Sequence, residues 1–189
     1  MRLIAVAGGI GSGKSVVCRM LSAMGYDVYD CDSRAKSIMD HDERIKRVIS
    51  EEICKEALAD GVIDRKRLAD AVFADERLLA KLNETVHSAV REDIALWSEH
   101  RDTAFVETAI LYQSGLDAMV SQVWNVTAPE TVRVERVMAR NGCDMVSVRQ
   151  RIRVQDGYVP DRIHPEVFEI VNDGFSPLLP RIEELLSLL

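Results

Sequence analysis

The sequence predicts an α/β fold, a parallel sheet interrupted by a helical insertion. Three observations carry this. The apolar run "RLIAVA" enters the glycine-rich "GGIGSGKS", a helical pattern follows, and "YDVYD" then alternates. That order of strand, loop, helix and strand needs a crossover, and crossovers build parallel sheets. Residues 33–102 place their apolar side chains at helical spacing and hold no convincing strand. Strand-like runs then return between helical stretches.

"RLIAVA" reads as a strand buried on both faces, because its apolar run is continuous. The helix after the loop presents Val17, Leu21 and Met24 on one face and stops at Gly25. "YDVYD" is the second strand. In the insertion, Leu68, Val72 and Phe73, then Leu78, Leu79, Leu82, Val86 and Val90, mark several helices. "TAFVETAILY" and "VWNVTA" read as strands. Pro129 opens a helix at its first turn, where a missing N–H costs nothing. A charged helical stretch spans about 133–157, "FEIVNDG" is a last short strand and turn, and "PLLPRIEELLSLL" closes as an amphipathic helix.

The 189 residues are 47% hydrophobic and 29% charged, which suits one globular domain with a sizeable core. A net charge of −7 disfavours a nucleic-acid partner. Cys18, Cys31, Cys54 and Cys143 form no Cys-x-x-Cys pair, so neither a zinc site nor a disulfide framework is expected, and buried reduced thiols are. The first apolar run breaks at Gly8, too soon for a signal-peptide core, and no run reaches membrane-spanning length. A cytoplasmic protein without a membrane partner is expected, as a monomer or weak homo-oligomer.

"GGIGSGKS" fits G-x-x-x-x-G-K-[ST] through Gly8, Gly13, Lys14 and Ser15. Glycines let the backbone curl so that successive N–H groups point at a phosphate, and the next helix adds its positive end. The whole stretch Gly8, Gly9, Ile10, Gly11, Ser12, Gly13, Lys14, Ser15 and Val16 is the expected ATP cradle. Lys14 is placed for the β- and γ-phosphates, and the Ser15 hydroxyl for Mg²⁺. Glu107, in the apolar "FVETAI", is a candidate to hold a Mg²⁺-bound water, or a strand-end acid bonded to backbone.

The loop alone leaves a GTPase switch, an ATPase motor and a small-molecule kinase open. No Asn/Thr-Lys-x-Asp stretch is present to select guanine, and no sensor residues of a motor are recognisable. A kinase must hold a second substrate beside the γ-phosphate and keep water out. The second strand ends in "DVYDCDSRAK", so Asp30 and Asp32 fall where parallel sheets bind ligands. Either is a candidate to accept the acceptor hydroxyl's proton; alternatively, Asp32 or Ser33 caps the next helix. Arg133, Arg136 and Arg140 share one helical face and suit a transferring phosphoryl group, or a solvated face paired with Glu130 and Glu135. Residues 140–164 are the candidate lid.

Taken together, these stretches resemble the dephospho-CoA kinase family. The resemblance rests on "GGIGSGKS" with "DVYDCDSRAK", on "ILYQSGL", on "ERVMARN" and "RIRVQ", and on "VNDG", in order from residue 1 to about 175. It implies a P-loop, nucleoside-monophosphate-kinase-like three-layer core (about 1–32, 103–139 and 165–189), with a substrate-binding helical insertion at about 33–102 and a lid at about 140–164. It also implies transfer of the ATP γ-phosphate to the ribose 3′-hydroxyl of dephospho-CoA, the last step of coenzyme A synthesis, with Mg²⁺. Asp32 then matches the base, and Arg140 the lid arginine at the phosphates. Asp30, His87 and Arg136 are weaker substrate-binding candidates. Another small-molecule or nucleotide kinase, or a nucleotide-binding regulator without transfer chemistry, remains the alternative.

The sequence departs from the family pattern at four places. Ala7 stands where Thr or Ser is usual, Ser88 and Ala109 where Pro is, and Gln113 where Glu is. These touch the acceptor side more than the phosphate machinery. His87 reads as a buried, hydrogen-bonded histidine or as a substrate contact. Arg65, Lys66 and Arg67 read as a solvated patch or as a contact for an anionic pyrophosphate. Trp97 and Trp124 read as packing residues.

Overall fold

The computed structural model describes all 189 residues and divides into two compact units, Met1–Tyr29 with His100–Leu189, and Asp30–Glu99. In chain order the elements are β1 (Arg2–Ala7), α1 (Lys14–Ala23), β2 (Asp27–Asp30), α2 (Cys31–His41), α3 (Glu43–Val48), β3 (Leu58–Ala59), β4 (Val62–Ile63), α4 (Arg65–Ala74), α5 (Glu76–Ser98), β5 (Thr103–Glu107), β6 (Gln122–Thr127), α6 (Glu130–Asn141), α7 (Met145–Asp156), β7 (Val167–Val171) and α8 (Leu178–Ser187).

The first unit is built on a five-stranded sheet in the order β2-β5-β1-β6-β7. β1 runs parallel to β5 and to β6, and β6 parallel to β7. With a neighbour on each side and layers on both faces, β1 buries every residue after Arg2, which is why its apolar run is unbroken. One face packs Ile4, Val6, Phe105, Trp124, Val126 and Ile170 against Val17 and Leu21 of α1 and Ile182 and Leu185 of α8. Phe105 sits 5.0 Å from the Trp124 ring and edge-on to Tyr26 at 5.5 Å, so three strand-borne or strand-flanking aromatics fill the middle of this layer. On α6 and α7, Val134, Val137, Val148 and Ile152 form a separate cluster that takes in Ile10 of the glycine-rich loop.

The structure corrects several local readings. The strand expected over "TAFVETAILY" ends at Glu107, because Thr108 turns the chain and accepts the Ile110 N–H on its hydroxyl at 3.1 Å. The charged helical stretch expected over 133–157 is made of two helices. Gly142 ends α6 in the left-handed conformation at φ 63°, and Asp144 caps α7 by accepting from the Ser147 N–H at 3.0 Å and its hydroxyl at 2.6 Å. Those bonds from Ser147 hold the Asp144 carboxyl below its usual range.

The second unit is helical, as its spacing predicts, but not wholly. β3 and β4 pair as a two-residue hairpin through Asp60 and Gly61, both at positive φ (51° and 74°). The 23-residue α5 starts at an Asp75 cap and buries Leu82, Val86, Ala89, Val90 and Ile94 along one side. Arg34 of α2 grips Asp93 of α5 with two nitrogens, at 2.7–3.1 Å. Phe73, expected on the apolar face of α4, is 79% exposed, while Leu68 and Val72 are buried. Of the "DRKRL" cations, Arg65 pairs with Asp40 at 2.7 Å and Arg67 with Asp64 at 3.3 Å.

Candidate active site

The loop from Gly8 to Ser15 leaves the C-terminal end of β1 and enters α1, at the sheet edge where parallel folds bind ligands. Three of its glycines at positive φ are sterically required. A side chain at Gly8 would strike the Val126 carbonyl, one at Gly11 (φ 79°) the Arg133 carbonyl, and one at Gly13 (φ 96°) the Asn172 carboxamide. Gly13 also forms the N-cap of α1, so the first turn of that helix presents its N–H groups toward the loop.

The curl is held from outside. Arg133 Nε donates to the Ile10 carbonyl at 2.9 Å. Arg136 Nη1 donates to the Ser12 carbonyl at 3.3 Å and to the Asn172 carbonyl at 3.0 Å, and its Nη2 to Asn172 Oδ1 at 3.2 Å. Asn172, buried just after β7, donates its Nδ2 to the same Ser12 carbonyl at 2.8 Å. Ile10 and Ser12 thus turn their carbonyls onto donors from outside the loop, while the Ser12 N–H is held by the Gly9 carbonyl at 3.1 Å, a curled backbone of the kind that binds anions. Behind the loop the Arg133 charge is paired with Asp156 at 2.9 and 3.1 Å, so the positive potential comes from the Arg136 guanidinium.

Inside the curl, Lys14 Nζ donates to the carbonyls of Gly8 at 2.9 Å and Gly9 at 3.5 Å. The ammonium thus stands in the mouth of the loop, and those two bonds can be exchanged for phosphate oxygens. The Ser15 hydroxyl is exposed on the first turn of α1, and Val16 follows with its N–H on the Gly13 carbonyl at 2.9 Å. Ser12 Oγ is buried without a hydrogen-bond partner beside Gly8, and the neighbouring Ala7 brings no hydroxyl to it. Glu107 ends β5, half-buried and in register with Val6, one residue before the chain enters Ala7 and the loop.

A cleft of about 210 Å³ opens beside the loop, between Gly8 and Gly9 on one side and Tyr112, Asn125, Gln155 and Tyr158 on the others. Gln113 and Ala109, two of the departures noted in the sequence, also line it. Of the arginines expected on one face of α6, Arg133 and Arg136 turn onto the loop. Arg140, one turn on, is exposed and donates to Asn141 Oδ1 at 3.1 Å.

The remaining candidates lie in the second unit. Asp30, and not Asp32 or Ser33, caps α2: its carboxylate accepts from the Asp32 N–H at 3.0 Å, the Ser33 N–H at 3.2 Å and the Ser33 hydroxyl at 2.6 Å. That leaves Asp32 exposed in the first turn of α2 with its carboxylate spared from capping. His87 is half-buried on α5. Burial, and then the charge of Arg91, hold its imidazole below its ordinary value, against the pull of Glu84. No group of three or more His, Cys, Asp or Glu side chains is arranged to hold a metal. A divalent ion at Ser15 would therefore take most of its ligands from bound phosphates and water, as Mg²⁺ commonly does.

Sequence reasoning named Arg133 only as one of a helical row, and missed Gln155 and the buried role of Asn172. "VNDG" flagged the turn but not that its asparagine reaches back across 160 residues to Ser12.

Comparison with known proteins gives the family and the fold. The family model for dephospho-CoA kinases matches residues 2–174. A dephospho-CoA kinase of Porphyromonas gingivalis W83 is 40% identical over 158 residues, covering 82% of this chain and 78% of that protein. One from Bacteroides fragilis YCH46 is 35% identical over 189 residues, covering 98% and 92%. The crystal structure of TT1252 from Thermus thermophilus superposes with a TM-score of 0.74 at 30% identity, covering 99% of this chain and 95% of that one.

Proposed function

The chain belongs to the dephospho-CoA kinase family, and from that membership we propose that it transfers the γ-phosphate of ATP to the ribose 3′-hydroxyl of dephospho-CoA. The observation that carries the chemistry is the outward turn of the Ile10 and Ser12 carbonyls onto Arg133, Arg136 and Asn172, which leaves a concave, cationic loop around the Lys14 ammonium. In this reading, Lys14 exchanges its bonds to Gly8 and Gly9 for β- and γ-phosphate oxygens. Mg²⁺, ligated by the Ser15 hydroxyl and the phosphates, would neutralise charge developing between the β- and γ-groups. Glu107 would orient a water of that ion.

Asp32 is proposed as the residue that accepts the 3′-hydroxyl proton. Capping of α2 already occupies Asp30, so Asp32 is the carboxylate of the pair available for proton transfer. Arg140 would swing from Asn141 to the transferring phosphoryl group. The second unit, around the helical stretch 33–102, would hold the acceptor, with His87 among its contacts, and 140–164 would serve as the lid. A cytoplasmic setting is proposed with it; of the thiols expected to be buried, Cys18 and Cys31 are, while Cys54 and Cys143 are partly exposed.

The test is a mass measurement on purified protein with ATP, Mg²⁺ and dephospho-CoA, with adenosine, AMP and shikimate as rival acceptors. CoA formed only with dephospho-CoA is the expected result. ATP binding without phosphorylation of any acceptor would refute it and favour a nucleotide-binding regulator.

A further inference from the structure

Gln155, in the last turn of α7, lies within the proposed lid and lines the cleft, and backbone groups hold both ends of its carboxamide. Oε1 accepts the Ile10 N–H at 2.6 Å. Nε2 donates to the Ala109 carbonyl at 2.9 Å. Ile10 belongs to the phosphate loop, and Ala109 to the turn that follows Glu107 at the end of β5. The two partners lie 145 and 46 residues away in sequence.

Ile10 is also held through the next peptide group. Its carbonyl takes Arg133 Nε, and the Arg133 guanidinium pairs with Asp156, the neighbour of Gln155, at 2.9 and 3.1 Å. The Ile10 side chain joins the cluster of Val134, Val137, Val148 and Ile152. One residue of the loop is therefore fixed by its N–H, its carbonyl and its side chain, and each contact leads to α6 or α7. Fixing a glutamine costs side-chain entropy, so two short bonds to two separate loops mark an ordered part of the site.

We propose that Gln155 is a positioning residue for phosphoryl transfer. It ties α7 to the loop and to the β5 turn, and so keeps this wall of the cleft beside Gly8 and Gly9 from swinging away and admitting more water while the γ-phosphate is in flight. It touches no reacting atom and acts through the backbone of Ile10 and Ala109. The role rests on the phosphotransfer reading above. Its physical basis is general: a kinase whose cover opens hydrolyses its donor, and small misplacements of a phosphate loop cost rate.

The experiment compares the full-length protein with Gln155→Ala and Gln155→Glu. It measures ADP released with and without acceptor, kcat and KM for ATP, and amide hydrogen exchange over residues 9–12. For Gln155→Ala, acceptor-dependent kcat should fall about tenfold with KM for ATP within about twofold, while acceptor-independent ADP release rises several-fold. Exchange at Ile10 should quicken. Gln155→Glu keeps an acceptor for the Ile10 N–H but loses the donor to Ala109. It should retain slow exchange at Ile10 and still release more ADP without acceptor than the parent.

Equal ratios of uncoupled to coupled ADP release in the parent and both variants, with unchanged exchange at Ile10, would overturn the proposal. If the alanine variant does not fold, the ratio in Gln155→Glu decides alone. A parent protein that phosphorylates no acceptor would sink the phosphotransfer reading separately, since the clamp is still read from ATP hydrolysis and exchange.

Discussion

Replacing Arg136 with Met tests whether the phosphate loop is held from behind. The aliphatic stem survives, and only the guanidinium is lost. Three of its bonds lie within ordinary hydrogen-bond range: to the Asn172 carbonyl at 3.0 Å, to Asn172 Oδ1 at 3.2 Å and to the Ser12 carbonyl at 3.3 Å. A bond from a charged donor contributes roughly 1.5–3 kcal/mol when well formed. These are long and Arg136 is only half-buried, so about 1 kcal/mol for each of two or three is reasonable, a total of about 2–3 kcal/mol. At about 2–4 °C per kcal/mol for a chain of this size, the melting temperature should drop by about 5–10 °C. Asn172 Nδ2 still holds the Ser12 carbonyl, so the loop loosens without collapsing, and nucleotide affinity should weaken by about tenfold, or about 1.4 kcal/mol. Circular dichroism melting and titration with a fluorescent ATP analogue read both numbers. An unchanged melting temperature together with unchanged affinity would refute the bracing role. An unchanged melting temperature with collapsed turnover would instead place the guanidinium on the substrate.

Arg140→Met is the matched contrast: as an exposed side chain bonded to its neighbour, it should leave stability within about 0.5 kcal/mol, while phosphoryl-transfer kcat falls by about a hundredfold, as read by coupled assay. Asp32→Asn should preserve fold and ATP binding and lower kcat by about a hundredfold or more; a kcat near that of the parent would mean that another group takes the proton. Lys14→Ala should weaken ATP binding and turnover together, measured by nucleotide titration and product mass; no change in either would remove Lys14 from the phosphate site. Burial lowers the pKa of His87 in the folded chain, so below about pH 6.5 the unfolded chain takes up the proton first and stability falls with falling pH. Urea unfolding between about pH 7.5 and 5 should show that loss, and His87→Gln should flatten the slope in this window without altering it above about pH 7.

The legible parts of the fold are those whose causes are local. The glycine spacing of the loop is dictated by backbone curl around an anion, and the unbroken apolar run before it by burial on both faces of β1. Length and spacing marked α5 in the same way. The β3–β4 hairpin escaped because two-residue strands have no periodicity, although Asp60-Gly61 is itself a strong turn signal. Phe73 escaped because spacing assigns a face and not the edge of that face. At the site, the row of arginines on α6 is visible from spacing alone. That Arg136 meets Asn172 across 36 residues, or that Gln155 meets Ile10, depends on the packed sheet and leaves no local trace.

The outward anchoring of the Ile10 and Ser12 carbonyls has a thermodynamic consequence. A loop already curled before nucleotide arrives has little backbone freedom left to surrender on binding, so the ordering cost falls on folding instead. Calorimetric titration with ATP should accordingly show a favourable enthalpy with only a small opposing entropy. In a protein lacking the Arg136 brace, that opposing entropy should grow while the enthalpy changes less.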